Sequence, residues 1–124
     1  MSPNPTAHAE KEAHRQSTET SIADIASFLS ETLGASLTAH MCGVDRKTRR
    51  RWTKGAKPGE AKERRLRAAY QAFHLLQSRD SQHTVRAWFM GLNPQLDDES
   101  PVEAIREDRL RDVNVAARAF VLGG

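Results

Sequence analysis

The sequence has a single cysteine, Cys42, among its 124 residues. One cysteine excludes an intramolecular disulfide and a cysteine-built zinc site. No apolar run approaches the roughly 18 residues that a membrane helix needs, so no membrane span or membrane partner is expected. Residues Met1 to Thr20 have no apolar stretch of the kind found in secretory signals. With the lone cysteine, this points to a reducing, cytoplasmic setting. The same twenty residues hold Pro3, Pro5, three Glu and two His but no Leu, Ile, Val or aromatic residue. Burial there cannot offset the entropy of ordering, so residues 1–20 are expected to form a disordered arm, with at most a frayed helix over Ala9 to Arg15.

Enzymatic patterns are missing as well. There is no Ser/His/Asp ordering and no glycine-rich phosphate loop, so neither catalytic residues nor a cofactor is expected. The histidines His8, His14, His40, His74 and His83 lack metal-ligand spacing, and His40 and Cys42 would not converge on a short helix. Asp97-Asp98-Glu99 lacks the alternating ligands and glycine of a calcium loop and reads as a solvated acidic turn. No metal site is expected. At 38% hydrophobic and 28% charged, a chain of this length is globular but polar. It can bury one modest core, with little room for an enzyme cleft.

The net charge of +3 conceals a strong segregation. Residues 21–45 carry Asp24, Glu31 and Asp45 and no Lys or Arg. Residues 46–67 carry eleven Lys or Arg against Glu60 and Glu63, a local charge of +9. Residues 97–124 carry seven acids against four Arg, a local charge of −3. A +9 block calls for a polyanion, an acidic partner or extensive solvation.

The apolar spacing is helical throughout, with no sustained strand alternation. Ile22, Ile25, Ala26, Leu29 and Leu33 make one stripe, with Thr20 or Ser21 as cap and Gly34 as stop. A short helix follows over about Leu37–Cys42, capped by Ser36, and a third runs from Asp45 to about Lys54. A long helix over about Glu60–Ser78 carries Leu66, Ala69, Tyr70, Phe73 and Leu76. Asp80 or Ser81 caps a fifth helix to about Met90, with Val85, Trp88 and Phe89 inward. Ser100, Pro101 and Glu103 form a strong start signal, and the last helix carries Leu110, Val113, Ala117 and Phe120 or Val121. The fold class is all-α. Tyr70, Phe73, Trp88 and Phe89 read as core at this spacing, not as a stacking platform.

The segment Ser36–Pro58, SLTAHMCGVDRKTRRRWTKGAKP, has the pattern of a helix-turn-helix. Ala39 allows close crossing, Gly43 turns the chain, Val44 plugs the turn and Asp45 caps the second helix. Thr48 and Trp52 face inward. That leaves Arg46, Lys47 and Arg50, with Arg49 and Arg51 more lateral, toward solvent on a DNA-recognition helix. Arg46, Lys47 and Arg50 are placed for base edges, and Lys54, Lys57, Arg64, Arg65 and Arg67 for phosphates. Arg49 stands where such helices often carry an apolar residue. The candidate DNA-binding set is Arg46, Lys47, Arg49, Arg50, Lys54 and Lys57. The competing interpretation is a solvated basic helix or one that binds an acidic protein.

The C-terminal stretch WFMGLNPQLDDESPVEAIREDRLRDVNVAARAFVLGG carries Trp88, Asn93-Pro94 with Leu96, Ser100-Pro101 before Ala104-Ile105, then Leu110, Val113 and Ala117 to Gly124. In that order, after a helix-turn-helix, these residues resemble the toxin-binding domain of the Xre/MbcA/ParS-like antitoxins, the partners of RES-domain toxins. The resemblance covers about residues 21–124. It departs at Asp97-Asp98-Glu99, where the family often places Gly.

The resemblance implies an Xre-like helix-turn-helix module (21–57), a connecting helix (58–78) and a small toxin-binding domain (79–124) after the arm (1–20). It implies an antitoxin that binds an NAD-degrading RES toxin and occludes its active site with the C-terminal helices and tail. The implied toxin-binding residues are Trp88, Asn93, Pro94, Phe120, Val121, Leu122, Gly123 and Gly124. Asp108 and Asp112 are further candidates to meet toxin cations. It also implies a homodimer within a toxin–antitoxin hetero-oligomer, and autoregulation by binding promoter DNA. The alternative is a plain DNA-binding transcriptional regulator with a C-terminal dimerisation or sensing domain.

Overall fold

The computed structural model describes residues 5–123. Among them the protein is all-helical: α1 (Pro5–Glu19), α2 (Ile22–Thr32), α3 (Ala35–Cys42), α4 (Arg46–Thr53), α5 (Glu60–Gln77), α6 (Gln82–Met90), α7 (Pro101–Arg106) and α8 (Leu110–Val121), with a 3-10 turn at Pro94–Leu96. The only extended pairing among these residues is an isolated antiparallel bridge between Asn93 and Glu99. No helix among them is long and apolar enough to cross a membrane.

Helix starts follow side-chain capping. Ser21, Asp45, Ser81 and Ser100 accept hydrogen bonds from the backbone N–H of Asp24, Thr48, Thr84 and Glu103. Pro101 then sits in the first turn of α7, where its missing N–H costs nothing. One expected cap differs: α3 begins at Ala35, with Gly34 and not Ser36 at its cap position. Thr38 explains the earlier start. Its buried hydroxyl lies 2.8 Å from the Gly34 carbonyl and 3.1 Å from that of Leu29, which ties the first turn of α3 to the end of α2.

Helix α5 is the axis of the molecule, and α1, α2, α3, α6, α7 and α8 all pack on it. Its Leu66, Ala69, Tyr70, Ala72, Phe73, Leu75 and Leu76 are buried. Phe73 stacks on Phe89 of α6 at 6.0 Å between ring centroids and meets Phe28 of α2 edge-on at 5.0 Å. A single apolar cluster runs from Ala13 in α1 through to Val121 in α8. The divisions at residues 20, 57 and 78 thus fall between helices and not between separate cores.

The largest correction concerns residues 1–20. From Pro5 to Glu19 they form a full helix packed along α5, whereas Met1–Asn4 lie outside the described residues. The stripe that docks it is made of small residues: Ala9 half-buried, Ala13 and Ser17 buried, four apart along one face. Small side chains let α1 approach closely without large apolar groups. Polar ties add to this contact. Arg67 of α5 donates from Nη1 to the carbonyls of Ser17 (2.7 Å) and Thr20 (3.0 Å), which satisfies the end of α1. Glu10 pairs with Arg118 of α8 at 2.9 Å.

Candidate functional site

Two surfaces carry the residues singled out in the sequence. The first is built on α3, the connection Gly43-Val44-Asp45, and α4. Gly43 ends α3 at φ 73°. Val44 N–H reaches back to the Ala39 carbonyl at 3.0 Å, closing the turn. A side chain at position 43 would meet Arg65 Nη1 at 3.3 Å in addition to that unfavourable φ. Asp45 then caps α4, and its carboxyl is held below the usual range by its hydrogen bonds to Thr48.

Trp52 anchors α4 in the core, and Arg46, Lys47, Arg50, Arg51 and Lys54 are exposed, with Lys57 exposed in the following loop. None of these six forms an ion pair among the described residues. Their charge faces solvent, a positive ridge that any polyanion would meet.

Arg49 is a correction to that set. It is only 9% exposed and faces α2, donating from Nη1 to Ser30 Oγ at 2.6 Å. Its Nε is buried without a partner. Its position follows from spacing: Arg49 precedes Trp52 by three residues and so lies on the buried face. Two phosphate candidates are also turned inward. Arg65 forks onto Asp108 at 2.7 and 3.0 Å and donates to the Cys42 carbonyl at 2.8 Å. Arg67 caps α1 as described and pairs with Glu63 at 3.0 Å. The +9 block therefore contains structural cations as well as displayed ones.

The second surface lies where α6, the Asn93–Leu96 turn and α8 meet. Trp88, Leu92, Asn93, Pro94, Gln95, Ala116, Ala119 and Phe120 line an open groove of about 340 Å³. Trp88, Asn93, Pro94 and Phe120 were all expected to bind a partner, and the fold brings them together there. Trp88 and Phe120 touch at 6.5 Å between rings. The turn that presents Asn93 and Pro94 is closed by its own bonds: Asn93 Oδ1 accepts from Gln95 N–H at 2.9 Å, and Asn93 N–H donates to the Glu99 carbonyl at 3.0 Å.

The tail departs from expectation. Helix α8 continues through Val121, which is 1% exposed and belongs to the core, so its side chain is not displayed to a partner. Arg79 donates to the Val121 carbonyl at the end of that helix. Leu122 and Gly123 follow exposed, and Gly124 lies outside the described residues. Asp108 and Asp112, offered as contacts for partner cations, are engaged within the chain by Arg65 and Arg109. The Arg65 guanidinium holds the Asp108 carboxyl below its ordinary range.

Sequence reasoning singled out Leu122 but not Leu92, which is 79% exposed at the lip of the groove, nor Met90 and Val115, the other exposed large apolar side chains on the flanking helices. Val115, Ala119 and Leu122 fall at i, i+4 and i+7 of α8, so a second stripe was readable beside the buried one.

Elsewhere chemistry is sparse. Burial pushes the Cys42 thiol up to about 12, so it stays protonated and unreactive near neutral pH. No group of three or more His, Cys, Asp or Glu among the described residues is placed to hold a metal ion. No family model, curated protein or solved structure matches the chain.

Proposed function

We propose that this protein is a two-surface antitoxin. Its groove binds and neutralises a RES-domain, NAD-degrading toxin, and α3–α4 act as a helix-turn-helix that binds its own promoter. The observation that carries the reading is the convergence of Trp88, Asn93, Pro94 and Phe120 in one apolar groove, with Leu92 exposed at its lip. Exposed apolar surface of this kind is characteristic of protein–protein contact.

Neutralisation in this reading requires no catalysis. The toxin packs against the groove and against Leu122 beyond it, and this chain's C-terminal helices stand across the entrance to the NAD site. Mass action on that one interface sets the inhibition. The DNA half is supported by the exposed row Arg46, Lys47, Arg50 and Lys54 on a helix anchored by Trp52. Arg side chains there suit guanine edges, and Lys57 beyond the helix suits a phosphate.

The test is co-expression with a RES-type reading frame from the same operon. The wild-type chain restores growth and cellular NAD, and Leu92→Asp does not. A plain DNA-binding regulator predicts that neither chain protects the cell while both retain promoter binding.

A further inference from the structure

We infer that the groove is a socket for a basic-flanked apolar anchor: a segment of a partner protein that inserts one large apolar side chain between Lys or Arg residues. This rests on the reading of the groove as the partner surface and specifies what that surface accepts.

The socket is apolar and its lining is uneven. Trp88 and Phe120 supply aromatic surface, whereas Ala116 and Ala119 are small, and that smallness leaves the space open. A protein surface that places two alanines beside two aromatics is shaped to receive a side chain, and buried anchors of this type dominate interface energetics.

The rim is acidic. Asp97 and Asp98 lie two and three residues beyond the lining residue Gln95, and Asp98 N–H is bonded to the carbonyl of the lining residue Asn93 at 3.0 Å, so the two acids are carried on the same closed turn. Both have positive φ, 57° and 66°, and the Asp97 side chain stays 91% exposed. Among the described residues the cation ion-paired with this turn is Arg109, and it is shared among Asp97 (3.3 Å), Glu99 (3.4 Å) and Asp112 (3.2 Å). Negative charge therefore remains at the lip, where it favours a cation beside the inserted anchor.

A second copy of this chain is a poor occupant. Its exposed large apolar residues among those described are Met90, Leu92, Val115 and Leu122, all on the helices and loop around the groove. Its basic helix offers none between its cations.

Selection of a displayed random peptide library on the full-length chain tests the proposal. Enriched peptides should carry Leu, Phe, Met or Trp with Lys or Arg close on both sides. Ala119→Trp fills the socket from a half-buried surface position and should weaken the selected peptides about tenfold or more, the equivalent of one large side chain left unburied. Asp97→Asn with Asp98→Asn keeps residues that tolerate positive φ, and should remove the preference for cations and flatten the salt dependence. If Ala119→Trp lowers the melting temperature, Leu92→Ser replaces it, since Leu92 is in an exposed loop.

Enriched peptides that are acidic or lack an apolar anchor, or that bind Ala119→Trp as well as wild type, would overturn the proposal. So would self-association of the wild type that Ala119→Trp abolishes, which assigns the groove to a second copy. Toxin neutralisation by the same variants separates the two levels. If Leu92→Asp and Ala119→Trp both neutralise fully, the groove is not the partner surface at all. If neutralisation needs the groove but the selected peptides are not basic, only the anchor chemistry is wrong.

Discussion

The α4 face and the α6–α8 groove differ in what the fold leaves undone. On α4 the apolar work is complete, with Trp52 buried and the cations displayed without ion pairs. At the groove Asn93 is satisfied by its own turn, and apolar surface is left exposed beside the acids of that turn. One surface suits a polyanion and the other an apolar protein segment, and each is supported by the same axis, α5. The contrast also separates two uses of arginine. Arg65, Arg67, Arg106 and Arg109 terminate helices and hold turns, as when Arg106 donates to the His40 carbonyl at 2.6 Å. Arg46 and Arg50 hold nothing together and are available for a partner.

The largest expected effect breaks both surfaces at once. Phe73→Ala empties the centre of the shared cluster and should cost about 3–5 kcal/mol by denaturant titration, in one cooperative transition. Two transitions would mean that the surfaces sit on independent units. Next, replacing Arg46, Lys47 and Arg50 together by Ala should lower promoter affinity by about two to three orders of magnitude. It should also flatten the preference for the promoter over unrelated duplexes, because these three are placed at base edges, while leaving toxin neutralisation intact. Leu92→Asp is the mirror test. It should weaken the protein complex by about tenfold to a hundredfold and leave the promoter titration unchanged.

Two smaller effects sharpen the comparison. His74, half-buried between Phe28 and Tyr70, has its pKa lowered by burial, and its Nε2 has no partner. Because the unfolded chain takes up that proton first, stability should be level above about pH 6.5 and fall as pH drops below it. His74→Gln should remove that part of the decline in a melting-temperature series. Arg49→Met should leave the salt slope of DNA binding unchanged and cost little or no stability, since it replaces a buried cation lacking a carboxylate partner by an apolar chain of similar length.

Much of this fold was legible in the sequence because its helix boundaries are written in caps. Ser21, Ser81 and Ser100 each precede an apolar period, Asp45 precedes the basic run that ends at Trp52, and each caps a helix. Helix α1 was not legible in the same way. Its docking stripe is Ala9, Ala13 and Ser17, and small residues bury little area, so a search for Leu, Ile, Val and aromatics passes over it. Arg49 was misplaced because charge was weighed above spacing; its separation from Trp52 put it on the inner face. Val121 was misplaced because its position near the chain end suggested a tail, whereas α8 carries it back into the core. The groove needs α8 to meet α6 and the turn that directly follows it, across the intervening α7, and periodicity within a single element contains no such information.

The most direct test is cellular NAD in strains that express the RES-type toxin together with either variant. The account predicts that the Arg46, Lys47 and Arg50 triple-alanine chain preserves NAD as the wild type does, and that Leu92→Asp lets it collapse. Preservation by Leu92→Asp, or collapse with the triple variant at equal protein level, would contradict the assignment of the two surfaces.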